Sequence, residues 1–231
     1  MAMRVFCALT FQKIYDRLTQ HLRLYTTLVL WFFFSSSTAY AQVPVEVMVG
    51  HNQLQHEFFF FKDLDKKQKW NLFSIGSFVM DYESEDKNFS QISSQVTYNL
   101  SKSWGISGGA FSFNQAIAPI VAMSYTYSSP NEDLYINLFP TFILDDELSY
   151  ELFGLFFYTP KISDELSFFG QFVTRTVYDN ELSNHVNSNH QLRVGFSFKA
   201  LLQFGVGFNQ EFEGVDFKSR NNTGLFIRKE L

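Results

Sequence analysis

Cysteine is almost missing from this 231-residue chain. The single one, Cys7, stands ahead of the first apolar run, so neither a disulfide framework nor thiol chemistry is available to the rest of the chain. Proline is scarce as well, with 5 residues against 29 Phe and 11 Tyr. No apolar run reaches the roughly 20 residues that a spanning helix needs, and no stretch after Ala41 carries a helical period. Positive charge is in deficit. The first 41 residues hold four basic and one acidic residue, leaving 14 basic against 22 acidic in the rest. Such an acidic chain argues against nucleic acid and against polybasic docking on a membrane. There is no Gly-rich phosphate loop, no Cys metal cluster and no nucleotide motif, so no cofactor is expected; Gly108-Gly109 reads as a strand kink.

What is present begins with a targeting segment. Arg4, Lys13, Arg17 and Arg23 form a long positive region, Leu24–Phe34 an apolar one, and Ala39-Tyr40-Ala41 an A-x-A cleavage pattern. Cleavage after Ala41 leaves one domain, residues 42–231, of a size that fits a single fold.

That domain is a series of runs with a period of two, the signature of strands with one apolar and one polar face. Gln191–Phe212 shows it best. Leu192, Val194, Phe196, Phe198, Leu202, Phe204, Val206 and Phe208 alternate with Arg193, Gly195, Ser197, Lys199, Gln203, Gly205, Gly207 and Asn209 in a hairpin with a very tight turn. The other runs are Val43–Val49, Leu54–Phe61, Trp70–Tyr82, Phe89–Leu100, Trp104–Asn114, Ile117–Tyr127, Leu134–Leu144, Tyr150–Tyr158, Leu166–Tyr178 and Thr223–Glu230. Most are longer than the 5–6 residues usual in globular sheets and near the 9–11 of tilted membrane strands. Twelve strands put both termini at one end; ten, with the N-terminal piece tucked elsewhere, is the alternative.

The connectors alternate. Asp63–Lys69, Ser101–Ser103, Ser128–Asp133, Thr159–Glu165 and the join near Leu201 form one set. Glu83–Asn88, Gln115–Ala116, Asp145–Ser149, Asp179–His190 and Glu213–Asn222 form the other, which holds the two longest. Membrane barrels have short turns at one end and longer loops at the other. Trp70, Tyr98, Trp104, Tyr125, Tyr127, Tyr135 and Tyr158 border the first set and Tyr82, Tyr150 and Tyr178 the second, as rings do at membrane–water interfaces.

With its A-x-A signal end, its alternating strands and tight turns such as Leu100-Ser101-Lys102-Ser103-Trp104, the chain resembles the outer-membrane β-barrel proteins of Gram-negative bacteria. The resemblance implies an antiparallel up-and-down barrel in the bacterial outer membrane. Its partners would be outer-membrane lipid and the barrel-assembly machinery, with a small solute in the lumen. Such proteins end in an aromatic residue; here Leu225, Ile227 and Leu231 keep the alternation, but Lys229 interrupts it and Leu replaces the ring.

In such a barrel the polar faces line the lumen. Those expected there are Gln91, Ser93, Gln95, Thr97, Asn99, Asn137, Gln171, Arg175, Arg193, Ser197, Lys199, Gln203 and Asn209. Three are basic, which favours anions; a hydrogen-bonded plug is the equal alternative. Phe153, Leu155, Phe157 and Phe169 oppose the lipid side and either fill the interior or meet another subunit, so any pore is narrow.

Catalytic chemistry has one candidate, Asn184-His185-Val186-Asn187-Ser188-Asn189-His190, since His and Ser with an orienting partner are the material of acyl hydrolysis. Its Asn/Ser composition reads as a solvated loop. His51 and His56 near Glu57 are too loosely spaced for a metal site. The acidic clusters Glu83/Glu85/Asp86, Asp145/Asp146/Glu147 and Glu211/Glu213/Asp216 lack the spacing of a calcium loop. The sequence therefore points to a non-enzymatic barrel: a narrow channel for small solutes, or a structural or surface protein. An outer-membrane lipid hydrolase using His185, His190 and Ser188 is one alternative, and a soluble periplasmic β-sandwich or lipocalin-like binder another.

Overall fold

The computed structural model describes residues 43–114, 116–145, 148–179 and 184–230. The expected signal segment and the terminal Leu231 lie outside them. Twelve strands succeed one another: β1 (Pro44–Gly50), β2 (Gln53–Asp63), β3 (Trp70–Asp81), β4 (Phe89–Asn99), β5 (Trp104–Phe113), β6 (Ala116–Ser128), β7 (Leu134–Ile143), β8 (Ser149–Tyr158), β9 (Leu166–Tyr178), β10 (His185–Phe198), β11 (Leu202–Glu213) and β12 (Lys218–Glu230). Each pairs antiparallel with its neighbours in sequence, and β1 pairs with β12 from Pro44↔Glu230 to Gly50↔Gly224. The barrel closes with no free edge, so every strand finds its ladder partners inside the protein. Twelve is the number, and the short first hairpin is part of the wall.

Two boundaries differ from the sequence reading. Strand β10 begins at His185 and β12 at Lys218, so half of Asp179–His190 and more than half of Glu213–Asn222 is strand. No connector at either end exceeds seven residues. The expected contrast between short turns and long loops is therefore absent.

Alternation sorts the side chains. Phe196 stands opposite Phe204 on the outer wall, and Leu192 opposite Phe208, all exposed. Val121, Met123, Leu152, Phe172 and Ile227 continue this apolar surface around the barrel. A closed barrel that is apolar outside and polar inside is the arrangement that spans a membrane. At the terminal end, Trp70 packs on Tyr98 and Trp104 on Tyr125, with centroids 4.9 Å apart in both pairs. Tyr135 departs from the expected girdle. It faces inward, opposite Phe157, and its hydroxyl accepts from Asn137 Nδ2 at 3.2 Å.

The β10–β11 turn is tight because Lys199 and Ala200 both adopt positive φ, 52° and 54°, and Leu201 N–H closes on the Phe198 carbonyl at 3.1 Å. That is a type I′ geometry made without glycine. Within the hairpin Gly195 faces Gly205, and the backbones come so close that a Cβ at Gly205 would lie 2.2 Å from the Val194 carbonyl oxygen.

Candidate functional site: the barrel lumen

The lumen has an aromatic waist. Phe59 of β2, Phe73 of β3, Phe139 of β7, Phe153 and Leu155 of β8 and Val173 of β9 form one buried cluster. Phe73 stacks on Phe139 at 5.3 Å and approaches Phe153 at 6.0 Å, although four strand-to-strand steps separate β3 from β7 along the wall. Phe157 links this cluster to a second one of Met48, Phe169 and Phe226. Together they reach across the interior. Phe153, Leu155, Phe157 and Phe169 thus fill the barrel rather than a subunit interface.

Beside this layer lies a buried charge cluster. Glu46 accepts from Arg193 Nε at 2.7 Å and from Arg228 Nη2 at 2.5 Å. Arg193, fully buried, also donates to Asn209 at 2.7 Å and to Gln55 at 3.4 Å; Asn209 bonds Gln55 in turn. The Arg228 guanidinium sits 5.1 Å from the ring centres of both Phe59 and Phe169. Buried ions are tolerated only when paired and fully hydrogen-bonded, and this shared carboxylate with two arginines meets that demand.

Nearer the end away from the termini, the lumen holds a cavity of about 40 Å³, room for a few waters. Its lining includes Glu57, Ser77, Gln91, Ser93, Gln95, Thr141, Glu151, Arg175, Asn189 and Gln191, and Phe73, Phe139 and Phe153 are the part of the waist that borders it. Arg175 pairs with Glu151 at 2.5 Å, donates to Asn187 at 3.0 Å and lies over the Phe111 ring at 4.6 Å.

Of the polar residues singled out from sequence, Gln91, Ser93, Gln95 and Arg175 line this cavity. Thr97, Asn137, Gln171, Arg193, Ser197, Gln203 and Asn209 are buried elsewhere inside the barrel. Asn99 lies at the terminal end, within 3.3 Å of Asn71. Lys199 is different: it sits in the β10–β11 turn, half exposed, paired with Glu165 at 3.1 Å. The positively charged lumen is not found either, because each interior arginine faces a carboxylate.

Sequence reasoning missed Glu46, Gln55, Glu57 and Arg228. The signal was there: Val45, Val47 and Val49 face out, which turns Glu46 inward, and Ile227 does the same for Arg228. His56 faces the outer wall while Glu57 faces the lumen, and His51 bonds Thr223 in the first turn, so the two histidines do not meet as ligands.

The His/Ser segment is also placed differently. A bulge between His185 and Asn187 leaves His185, Ser188 and His190 on the outer wall near the end away from the termini. Ser188 Oγ lies 2.8 Å from His185 Nε2, and His185 Nδ1 donates to the Gly214 carbonyl at 2.9 Å. Thr176 Oγ1 is 3.1 Å from the same serine oxygen. Phe217 stacks on the His185 ring at 4.2 Å, and His185 and Ser188 are 4 % and 6 % exposed.

No protein-family model and no curated protein sequence matches this chain. Solved structures do. The NanC porin aligns with a TM-score of 0.53 at 10% identity, over 83% of this chain and 100% of that one. The KdgM porin in complex with disordered oligogalacturonate aligns at 0.46 and 9%, over 82% and 99%. LpxR from Salmonella typhimurium aligns at 0.40 and 8%, over 82% and 100%. At 10% identity the likeness to NanC is one of fold: a closed antiparallel β-barrel.

Proposed function

We propose that the protein is an integral outer-membrane barrel acting as a narrow conduit for small solutes. The observation that carries this reading is the polar cavity inside a closed barrel, which stops at the Phe73–Phe139–Phe153 layer. Twelve strands enclose too little space for a wide aqueous channel once such rings point inward. A path opened past these rings would be wide enough for water and small ions and too narrow for sugars. NanC, called a porin, has the same architecture, which is consistent with this use of the fold. The test is current across planar bilayers holding the purified, folded barrel, together with swelling of liposomes in sugars. Small conductance without sugar uptake is the expected result. A folded barrel that passes no current sinks the reading.

One observation favours a second reading, a lipid hydrolase. Ser188, His185 and the Gly214 carbonyl are ordered as nucleophile, base and orienting acceptor, on a strand facing the membrane surface instead of in a solvated loop. Against it, both side chains are buried beneath Phe217. Phospholipid and p-nitrophenyl ester hydrolysis by the pure protein, abolished by Ser188→Ala, would put this reading first.

A further inference from the structure

A conduit this narrow accepts one sign of charge over the other, and the arginines do not decide which. Arg193 and Arg228 share Glu46, Arg175 holds Glu151, and Arg220 bridges Asp81 and Glu211 at 2.8 and 2.7 Å. Each of these four arginines thus has a carboxylate in contact, and Glu57 is a further interior carboxylate. Among the described residues, Glu57 has no arginine or lysine at salt-bridge distance, yet it is only 1 % exposed. Gln55 Nε2 donates to its Oε2 at 3.2 Å, and its Oε1 has no hydrogen-bond partner.

Glu57 lines the lumen cavity, and its Oε1 is not the only acceptor among the lining residues without a partner. Gln95 and Gln191, whose buried amide oxygens also have no partners, are among the residues that line the same cavity. Ser77 and Thr141 add hydroxyl oxygens. A buried acceptor with no donor costs free energy, and a buried carboxylate with no counter-charge costs more. Three such acceptors around one small space are relieved together by a single species that offers positive charge and accepts oxygen ligands. Hard cations bind this way, through carboxylate, amide oxygen, hydroxyl and water. Glu57 brings one formal charge to the cavity and no cation in direct contact with it, so the site matches a monovalent ion, and a cavity of about 40 Å³ holds one with a few waters.

We propose that this cavity binds a monovalent alkali cation. Glu57 supplies the charge and Gln95 and Gln191 supply neutral oxygens, so a conduit through it passes cations in preference to anions. The electrical consequence rests on the conduit reading; the binding site does not.

The experiment therefore has two arms. Crystals of the barrel grown in rubidium chloride are expected to show an anomalous peak beside Glu57 Oε1, absent in Glu57→Gln and kept in Glu57→Asp, each variant first shown to be folded by heat-modifiable gel mobility. In a potassium chloride gradient across a bilayer, the wild-type reversal potential is expected to lie toward potassium and that of Glu57→Gln to move toward zero. No rubidium peak in the wild type, or a peak unchanged in Glu57→Gln, overturns the site: Glu57 is then neutralised by its own proton. Current that favours chloride, or ignores Glu57→Gln, overturns the selectivity. No current with a rubidium peak present refutes the conduit and upholds the site.

Discussion

At the scale of single residues, the lumen is organised by one carboxylate. Glu46 holds both Arg193 and Arg228, which arrive from β10 and β12 and, among the described residues, have no other acid at salt-bridge distance. Replacing it by glutamine keeps the shape and removes the charge. Two guanidinium groups then stay buried without a counter-ion, at a cost of about 3–5 kcal/mol. Glu46→Gln is accordingly expected to unfold at lower urea in lipid vesicles than the wild type, as monitored by tryptophan fluorescence; unchanged stability would mean that water reaches this cluster. The direction in which Arg193 points was legible from its alternation with Leu192 and Val194. Its partner was not, because Glu46 lies 147 positions away and meets it only after the barrel has closed. Lys199 shows the converse limit. Parity places it inward with Arg193, but positive φ at Lys199 and Ala200 ends the alternation just there and turns the side chain to the rim.

At the scale of the element, the β10–β11 hairpin carries the face assignment. Phe196 and Phe204 face out, and their rings lie 6.5 Å apart across the pair. Phe204→Arg puts a guanidinium into hydrocarbon and is expected to cost about 2–4 kcal/mol near the bilayer midplane. The same urea titration measures it, and a variant that inserts with wild-type stability would reverse the two faces. Gly205 has a separate constraint. Any side chain there meets the Val194 carbonyl before it reaches the lumen, so Gly205→Ala is expected to disturb the hairpin backbone and lower stability without altering lumen charge. Most strand cores could be read from alternation, since hydrocarbon outside and polar groups inside enforce a period of two. The start of β10 could not. There the outward residues are His185, Ser188 and His190, standing where the wall leaves the apolar band, so the period is present in space but not in hydropathy. A polar segment with Asn and Ser then looks like a loop.

At the scale of the whole molecule, the barrel interior is divided by how its widest side chains meet. Phe73 comes from β3, Phe139 from β7 and Phe153 from β8, so the layer they make ties opposite walls together. The strands between, β4 to β6, offer mostly small inward groups such as Ser107, Gly109, Ala118 and Ala122, which leave the rings room to cross. Removing one ring from that layer has two consequences. Stability falls by about 3–5 kcal/mol, the range for a buried Phe→Ala change. The lumen also widens where the polar cavity meets the waist, because Phe153 borders both. A barrel closed by continuous backbone pairing has no edge through which the wall can collapse inward, so the freed volume stays open and fills with water from the cavity side. Phe153→Ala, once shown to fold, is therefore expected to raise single-channel conductance several-fold above wild type. Conductance unchanged by this substitution would move the constriction to the Glu46–Arg193–Arg228 cluster, and Glu46→Gln would then be the variant that opens the passage.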